Sequence, residues 1–225
     1  MKNKTELDRV KIMAKDLLEL PIKFNEEFGF IVHHPFISNP VYLDENKQLK
    51  KIETQEDEDY IRNDLRNIID KMKDYLSFIP LVNKPYLPLF FKYTNEYVSD
   101  KDFAEFLKTM WIYVEFPNND ANVSKSDWLK YFKRVDKNLI MSKEELEVYN
   151  NLPNEVEIYR GVGSHNNYKA LSWTLDYEKA KWFSTRFSKG KVYKGTIDKK
   201  YIFAYFNDRD ESEVVVDYTK IKYND

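Results

Sequence analysis

The chain has 225 residues, and its 42% hydrophobic and 33% charged residues are typical of a globular protein with a well-hydrated surface. It has no cysteine, which excludes disulfides and thiolate metal sites, and its net charge of −2 argues against nonspecific nucleic-acid binding. The amino terminus lacks the apolar core of a secretory signal, and no window approaches the ~18 apolar residues of a membrane span. We therefore expect a soluble, cytoplasmic protein with no membrane partner.

Up to about residue 150 the pattern is mostly helical. Apolar side chains recur at helical spacing over residues 7–17, and Thr5 is in position to cap that helix. The clearest amphipathic pattern covers residues 54–79, has acidic residues in its first turns and is closed by Pro80. Three more helices are predicted to begin at or near serines, namely Ser99, Ser126 and Ser142.

After Pro153 the pattern changes to short segments rich in β-branched and aromatic residues. These segments predict strands over residues 155–162, 169–174, 191–197, 201–206 and 212–218. One helix, from Tyr177 to about Phe187, is predicted between them. The predicted class is α+β, with a helical amino-terminal lobe over residues 1–152 and a β-rich lobe over residues 153–225.

Several common catalytic and metal motifs are absent. Gly161-Val162-Gly163 follows a predicted strand, but Asn166 occupies the third glycine position of a dinucleotide-binding loop and no βαβ pattern follows. His33 and His34 are adjacent and would point to opposite faces of a strand, and His165 is the only other histidine. The sequence therefore predicts no metal site.

Three short segments in the β-rich half carry chemistry when they are considered together. Arg160 ends a predicted strand, and Ser172 and Thr174 share one face of the next strand. Glu211 and Glu213 stand two positions apart before three valines, on one face of a predicted strand. Because like charges repel at that spacing, the two carboxylates need either water or a cation between them.

In this order, the three segments resemble the arginine–serine–glutamate class of ADP-ribosyltransferases. The resemblance covers about residues 155–218 and includes an Ala-x-x-Phe pair, Ala180 and Phe183, after the serine motif. It also includes an aromatic-bearing turn before the two acids, over residues 205–210. The central motif departs from the usual Ser-Thr-Ser because Trp173 stands in its middle. The resemblance implies a β-rich core of two packed sheets.

The resemblance also implies that the chain cleaves NAD between nicotinamide and ribose and transfers ADP-ribose to an acceptor. Glu213 would stabilise the positive charge that develops on the ribose, and Ser172 would hold Glu213 in one rotamer. Arg160 would hold the phosphate and ribose side of NAD. Glu211 completes the implied catalytic set with these three residues, and the reaction requires no metal.

The remaining implied contacts concern the nicotinamide end of NAD. The Gly161 backbone would pair with the nicotinamide amide, since a glycine lets a ligand approach the chain closely. Phe183 would stack on the nicotinamide ring, which is cationic before cleavage. The NAD-binding residues implied by the resemblance are Arg160, Gly161, Ser172, Thr174 and Phe183.

By the same resemblance, Glu211 selects the acceptor. A carboxylate at this position can grip a guanidinium with two hydrogen bonds, so the expected acceptor is an arginine of another protein. An NAD glycohydrolase that uses water, and a non-catalytic binding module on the same scaffold, stay open as alternatives. A nucleic-acid acceptor is less favoured, although Lys189, Lys191 and Lys194 cluster in the sequence. The Lys-, Asn- and Tyr-rich composition suggests a bacterial or phage effector.

Overall fold

The computed structural model describes residues 2–25, 27, 31–114, 118, 120–163, 168–186 and 189–223. The chain divides into two compact units, Met1–Val114 and Glu115–Asp225. His165, Asn166 and Phe187, which the sequence patterns involve, lie outside the described residues. Within the described part of the chain, no helix combines the length and apolar character needed to cross a membrane.

The first unit is mainly helical and packs around aromatic rings. Its described helices are α1 (Leu7–Leu18), α2 (Gln55–Lys71), α3 (Leu87–Thr94) and α4 (Asp100–Tyr113). Two antiparallel hairpins are formed by β1 (Lys23–Phe24) with β2 (Val32–His33), and by β3 (Val41–Leu43) with β4 (Leu49–Lys51). In this core the Phe106 ring lies 5.8 Å from the ring of Phe90 and 5.5 Å from that of Phe91.

The capping prediction is confirmed for Ser99 and wrong for Thr5. Ser99 caps α4, where its hydroxyl accepts a hydrogen bond from the Asp102 N–H at 3.1 Å. Glu6, not Thr5, precedes α1, and no side chain caps that helix. The Thr5 hydroxyl instead donates to the Asp102 carboxylate and accepts from the Ser99 N–H at 2.8 Å. Thr5 therefore ties the beginning of the chain to the start of α4.

Helix α2 ends at Lys71, well before Pro80, so the predicted length was wrong. Met72 has an extended backbone, with φ −60° and ψ 135°. The Asp74 carboxylate then accepts hydrogen bonds from the N–H and the hydroxyl of Ser77, at 2.9 and 2.8 Å, and a separate 3-10 helix follows at Leu76–Phe78. Local hydrogen bonding by Asp and Ser competes with the helix although the apolar spacing continues.

The second unit combines helices with a sheet. Its described helices are α5 (Lys125–Arg134), α6 (Lys137–Ile140), α7 (Lys143–Asn151) and α8 (Tyr177–Thr185). Its strands are β5 (Glu155–Val162), β6 (Ser172–Thr174), β7 (Lys191–Asp198), β8 (Ile202–Phe206), β9 (Glu213–Val216) and β10 (Lys222–Tyr223). The predicted α+β class is confirmed. Ser142 caps α7 in a capping box as predicted, and α5 begins at Lys125, near Ser126 as predicted, with Ser124 as its cap.

The two units divide after residue 114, whereas the sequence pattern places a boundary after residue 152. Helices α5, α6 and α7 all pack on β8 of the sheet. The rings of Phe132 and Phe203 stack 6.2 Å apart, and the Lys137 ammonium donates to the Ile202 carbonyl at 2.7 Å. These contacts join residues 125–151 to the β-rich half, although their own pattern is helical.

The strands of the second unit form one antiparallel sheet in the order β10-β7-β5-β6-β9-β8, and not two separate sheets. The sheet has a narrow point at its middle, where two neighbouring strands share very few paired residues. Strand β5 pairs with β7 over eight positions but with β6 only through Tyr159 and Thr174. Beyond that pair, the Arg160 side chain rather than a backbone ladder reaches the Ser172 carbonyl, at 2.5 Å. This narrow point is where the candidate site lies.

Candidate active site

Arg160, Ser172 and Glu213 lie in direct contact where β5, β6 and β9 meet. The Ser172 hydroxyl donates to Glu213 Oε1 at 2.5 Å, and Arg160 Nη1 donates to the Ser172 carbonyl at 2.5 Å. Thr174 is opposite Glu213 in the ladder, and Ser172 is two residues before Thr174 on the same face. The diagonal between neighbouring strands therefore brings the hydroxyl to the carboxylate.

Glu213 is a buried acid, and its side chain is only 6% exposed. Three fully buried valines, Val214–Val216, follow it and fix the start of β9 in the core. The carboxylate accepts the Ser172 hydrogen bond through Oε1, and Oε2 lies 3.7 Å from the Arg209 guanidinium. Burial of an acid is costly unless it is paired, so these partners keep a carboxylate in a protected position.

Arg160 is held in an unusual environment. Burial lowers the pKa of Arg160 to about 10, and the neighbouring Glu213 carboxylate opposes this shift. The guanidinium is therefore still cationic at neutral pH. Its Nε atom is buried and has no hydrogen-bond partner among the described residues. An unsatisfied buried donor costs roughly 1–3 kcal/mol, a cost that an acceptor oxygen from a ligand would remove.

Lys125 adds a second cation close to Arg160. Burial lowers the pKa of the Lys125 ammonium, and the positive charge of Arg160 lowers it further. The ammonium donates to the Lys169 carbonyl at 2.7 Å and lies 5.9 Å from the Tyr218 ring centre. Sequence reasoning missed Lys125, since it begins a helix distant in the chain and carries no local motif.

Glu211 and Glu213 were expected to lie on one face of a regular strand, but the strand does not include Glu211. Strand β9 begins at Glu213, and Ser212 between the two acids has a left-handed φ of 45°. Both carboxylates nevertheless reach one guanidinium. Arg209 Nη2 lies 3.0 Å from Glu211 Oε2 and 3.7 Å from Glu213 Oε2. The cation that the two like charges require is supplied by Arg209, which the sequence reasoning had not singled out.

The loop that carries Arg209 and Glu211 is fixed by hydrogen bonds. The Asn207 carbonyl accepts from the Asp210 N–H, and the Asn207 side-chain oxygen accepts from the Ser212 N–H, each at 3.0 Å. The Thr174 hydroxyl donates to the Glu211 carbonyl at 2.7 Å. Asp210, like Ser212, has a left-handed φ, here 54°. Non-glycine residues rarely adopt this conformation, and it concentrates at functional sites.

Three residues implied to bind NAD have structural explanations of their own. The Thr174 hydroxyl also accepts from the Asp176 N–H at 3.0 Å, so it joins the loop to the start of α8. A Cβ at Gly161 would lie 1.9 Å from the Ala180 carbonyl oxygen, so the close packing of α8 by itself requires glycine there. Phe183 is half-buried on α8, and its ring lies 4.9 Å from that of Trp182.

A tyrosine cluster lies beside Arg160. Tyr193 is the cross-strand partner of Arg160, and Tyr168 stacks on it with ring centres 4.6 Å apart. The Tyr223 ring meets Tyr168 edge-on at 5.1 Å and lies 6.1 Å from Trp173. Burial raises the pKa of Tyr223, and the Arg160 charge opposes that shift. Aromatic rings of this tyrosine cluster therefore lie beside the Arg160 guanidinium, which no sequence motif had indicated.

Alternative ligand classes find less support in the arrangement of side chains. Of the lysines considered for a nucleic-acid acceptor, Lys194 is paired with Glu157 at 2.6 Å. Among the described residues, no group of three or more His, Asp or Glu side chains is arranged to hold a metal ion. No protein-family model matches the chain, and no curated protein or solved structure matches it.

Proposed function

We propose that this chain is an NAD-dependent mono-ADP-ribosyltransferase that modifies arginine side chains. The observation that carries the proposal is the direct contact among Arg160, Ser172 and Glu213, each link being 2.5 Å long. The three residues come from separate strands and meet at the narrow point of the sheet. A cation, a hydroxyl and a buried carboxylate so arranged suit the cleavage of a nucleotide glycosidic bond.

The carboxylate of Glu213 stabilises positive charge on the reacting ribose. As nicotinamide leaves, the ribose becomes oxocarbenium-like, and a fixed negative charge favours that transition state over the ground state. Ser172 holds Oε1 of this carboxylate, and a ribose hydroxyl would donate a hydrogen bond to the same carboxylate in the complex with NAD. Positioning by Ser172 matters because a rotated carboxylate loses this interaction.

Arg160 and Lys125 provide the positive charge for the diphosphate of NAD. The Nε–H of Arg160 is buried without a described partner and can donate to a phosphate oxygen. The Lys125 ammonium is close enough to be influenced by Arg160. The tyrosine cluster of Tyr168, Tyr193 and Tyr223 borders this cation and offers apolar faces to a nucleotide.

Glu211 would bind the acceptor. The Arg209 guanidinium lies 3.0 Å from this carboxylate and 3.7 Å from that of Glu213, which supports the binding of a guanidinium beside both acids. An acceptor arginine in that position would lose a proton to Glu211 as one of its nitrogens attacks the ribose C1′. The C1′–nitrogen bond to nicotinamide breaks with its electron pair leaving on nicotinamide, and the new C1′–nitrogen bond forms.

The test combines NAD with agmatine, a soluble compound that carries the arginine guanidinium. Wild-type protein is expected to release nicotinamide and to form ADP-ribosyl-agmatine, both of which mass spectrometry detects. Glu213→Gln is expected to lower both products by about 10²–10³-fold. Release of free ADP-ribose without modified agmatine would establish a glycohydrolase instead. Absence of nicotinamide release would favour a non-catalytic binding module.

A further inference from the structure

Arg209 occupies the position that an acceptor guanidinium would need. Its Nη2 atom lies 3.0 Å from Glu211 and 3.7 Å from Glu213, between the acid proposed to bind the acceptor and the acid proposed to serve the ribose. The Glu213 carboxylate is in turn bonded to Ser172 at 2.5 Å. An arginine of the chain itself thus contacts both acids of the candidate site.

The loop presents Arg209 in a defined place. The N–H groups of Asp210 and Ser212 donate hydrogen bonds to Asn207 and close the turn around Arg209, and the Thr174 hydroxyl donates to the following Glu211 carbonyl. Lys179 also pairs with Asp210 at 2.9 Å. These contacts reduce the entropy that would be lost in placing the guanidinium, which is the advantage of an intramolecular reactant.

Arg209 is also accessible from solvent. Its side chain is 41% exposed, compared with 23% for Glu211 and 6% for Glu213. A bound dinucleotide can therefore approach the guanidinium from the open side while the acids contact it from the other.

We propose that Arg209 is an internal acceptor, so that the chain ADP-ribosylates its own Arg209. This inference rests on the proposed function. The glycosidic bond between ribose C1′ and nicotinamide breaks, and nicotinamide leaves with the electron pair. A bond forms between C1′ and a terminal nitrogen of Arg209, and the proton displaced from that nitrogen passes through Glu211 to solvent. NAD supplies the ADP-ribose, and no oxidant or reductant is consumed.

Two consequences separate this reaction from modification of one molecule by another. Because the donor site and the acceptor belong to the same chain, the first-order rate constant of self-modification should be independent of protein concentration. Because Arg209 already pairs with Glu211, it should also compete with an added guanidinium, so Arg209→Lys should raise transfer to agmatine.

The experiment incubates the full chain with NAD, with and without agmatine, at several protein concentrations. Peptide mass spectrometry locates the ADP-ribose, and nicotinamide release is measured in the same samples. The expected result is a label on the Arg209 peptide that forms with a rate constant independent of protein concentration. Arg209→Lys should abolish this label. Arg186→Lys is the matched control: Arg186 lies over the Trp182 ring, 5.0 Å from its centre, and its replacement should leave the label intact.

The outcomes distinguish this inference from the proposed function. The inference would be overturned, and the proposed function left standing, by modified agmatine without any label at Arg209. The same holds for an Arg209 label whose apparent first-order rate constant rises with protein concentration. If wild-type protein releases no nicotinamide even with agmatine present, the proposed function fails, and self-modification fails with it.

Discussion

Arg62 in the first unit and Arg160 in the second both have buried side-chain atoms, and the two arginines differ in how completely they are hydrogen-bonded. Arg62 in the first unit donates to the Leu18 carbonyl, to the Leu20 carbonyl at 3.1 Å and to Glu58 at 3.3 Å. His34 beside it is equally well satisfied, with Nε2 donating to Leu18 and Nδ1 accepting from two backbone N–H groups. Both ring nitrogens of His34 and both terminal nitrogens of Arg62 therefore have hydrogen-bond partners.

Arg160 in the second unit is bonded less completely. One of its terminal nitrogens reaches the Ser172 carbonyl, whereas Nε is buried with no partner among the described residues. The neighbouring Glu213 is buried and lies 3.7 Å from the exposed Arg209. A buried cation that is fully bonded contributes to structure, and one that keeps an open donor suits a ligand. The following predictions test this contrast, beginning with the largest expected effect.

Arg160→Lys should damage activity much more than stability. Lysine keeps the charge but loses the planar set of donors, so nicotinamide release should fall by roughly 10²-fold or more. Unfolding in urea should change by less than about 1 kcal/mol, because the open Nε donor is removed together with the bond to Ser172. A variant with normal nicotinamide release would contradict the role given to Arg160.

Arg62→Lys should have the opposite effect. Loss of the donors to Leu18 and Leu20 should lower the free energy of unfolding by about 2–3 kcal/mol, measured by urea denaturation. Nicotinamide release below the melting temperature should stay at the wild-type level. If this variant lost activity while it was still folded, the distinction between the two arginines would not hold.

His34 should make the first unit sensitive to acid. Burial lowers the pKa of His34 to about 4, from 6.5 for the ordinary side chain. The unfolded chain therefore binds a proton that the folded chain rejects, and stability falls as pH drops from 6.5 towards 4. Between about pH 7.5 and pH 5 the expected loss is about 2 kcal/mol in urea denaturation.

The control for that acid sensitivity is the neighbouring histidine. His34→Asn should remove this part of the pH dependence, and His33→Asn, at an exposed position, should retain it. An unchanged pH profile in His34→Asn would show that another group is responsible. The guanidinium of Arg160, with a pKa of about 10, does not titrate in this range.

Thr174→Val should have the smallest effect. The change removes the hydrogen bonds that the Thr174 hydroxyl makes with the Glu211 carbonyl and the Asp176 N–H but keeps the shape of the side chain, so the unfolding free energy should fall by about 1–2 kcal/mol. Transfer to agmatine should fall more than release of nicotinamide, since the loop carrying Glu211 loosens. Equal losses of both products would indicate that Thr174 does not act through Glu211.

Local chemistry made part of the structure predictable from the sequence. Ser99 and Ser142 were identified as caps because a serine followed by an acid three residues later satisfies helix N–H groups within one turn. The meeting of Arg160, Ser172 and Glu213 was expected only because their order resembles a known class. No spacing rule would otherwise have joined three strands.

Other features depend on contacts between distant residues and could not be predicted. Lys125 reaches Arg160 only because α5 packs on the same sheet. The close packing of α8 against the Gly161 Cα atom was not predicted either, since it depends on residues 19 positions away in the chain. Arg209 could be read in the sequence, but its contact with both acids depends on the left-handed turn at Ser212.

The most direct measurement follows nicotinamide release from NAD by wild-type protein, Ser172→Ala and Glu213→Gln, with folding of each variant checked by circular dichroism. We expect release by the wild type, a loss of about 10²–10³-fold in Glu213→Gln and a smaller loss in Ser172→Ala, since serine only orients the carboxylate. Equal release by all three folded proteins would contradict the assignment of this cluster as the site of NAD cleavage.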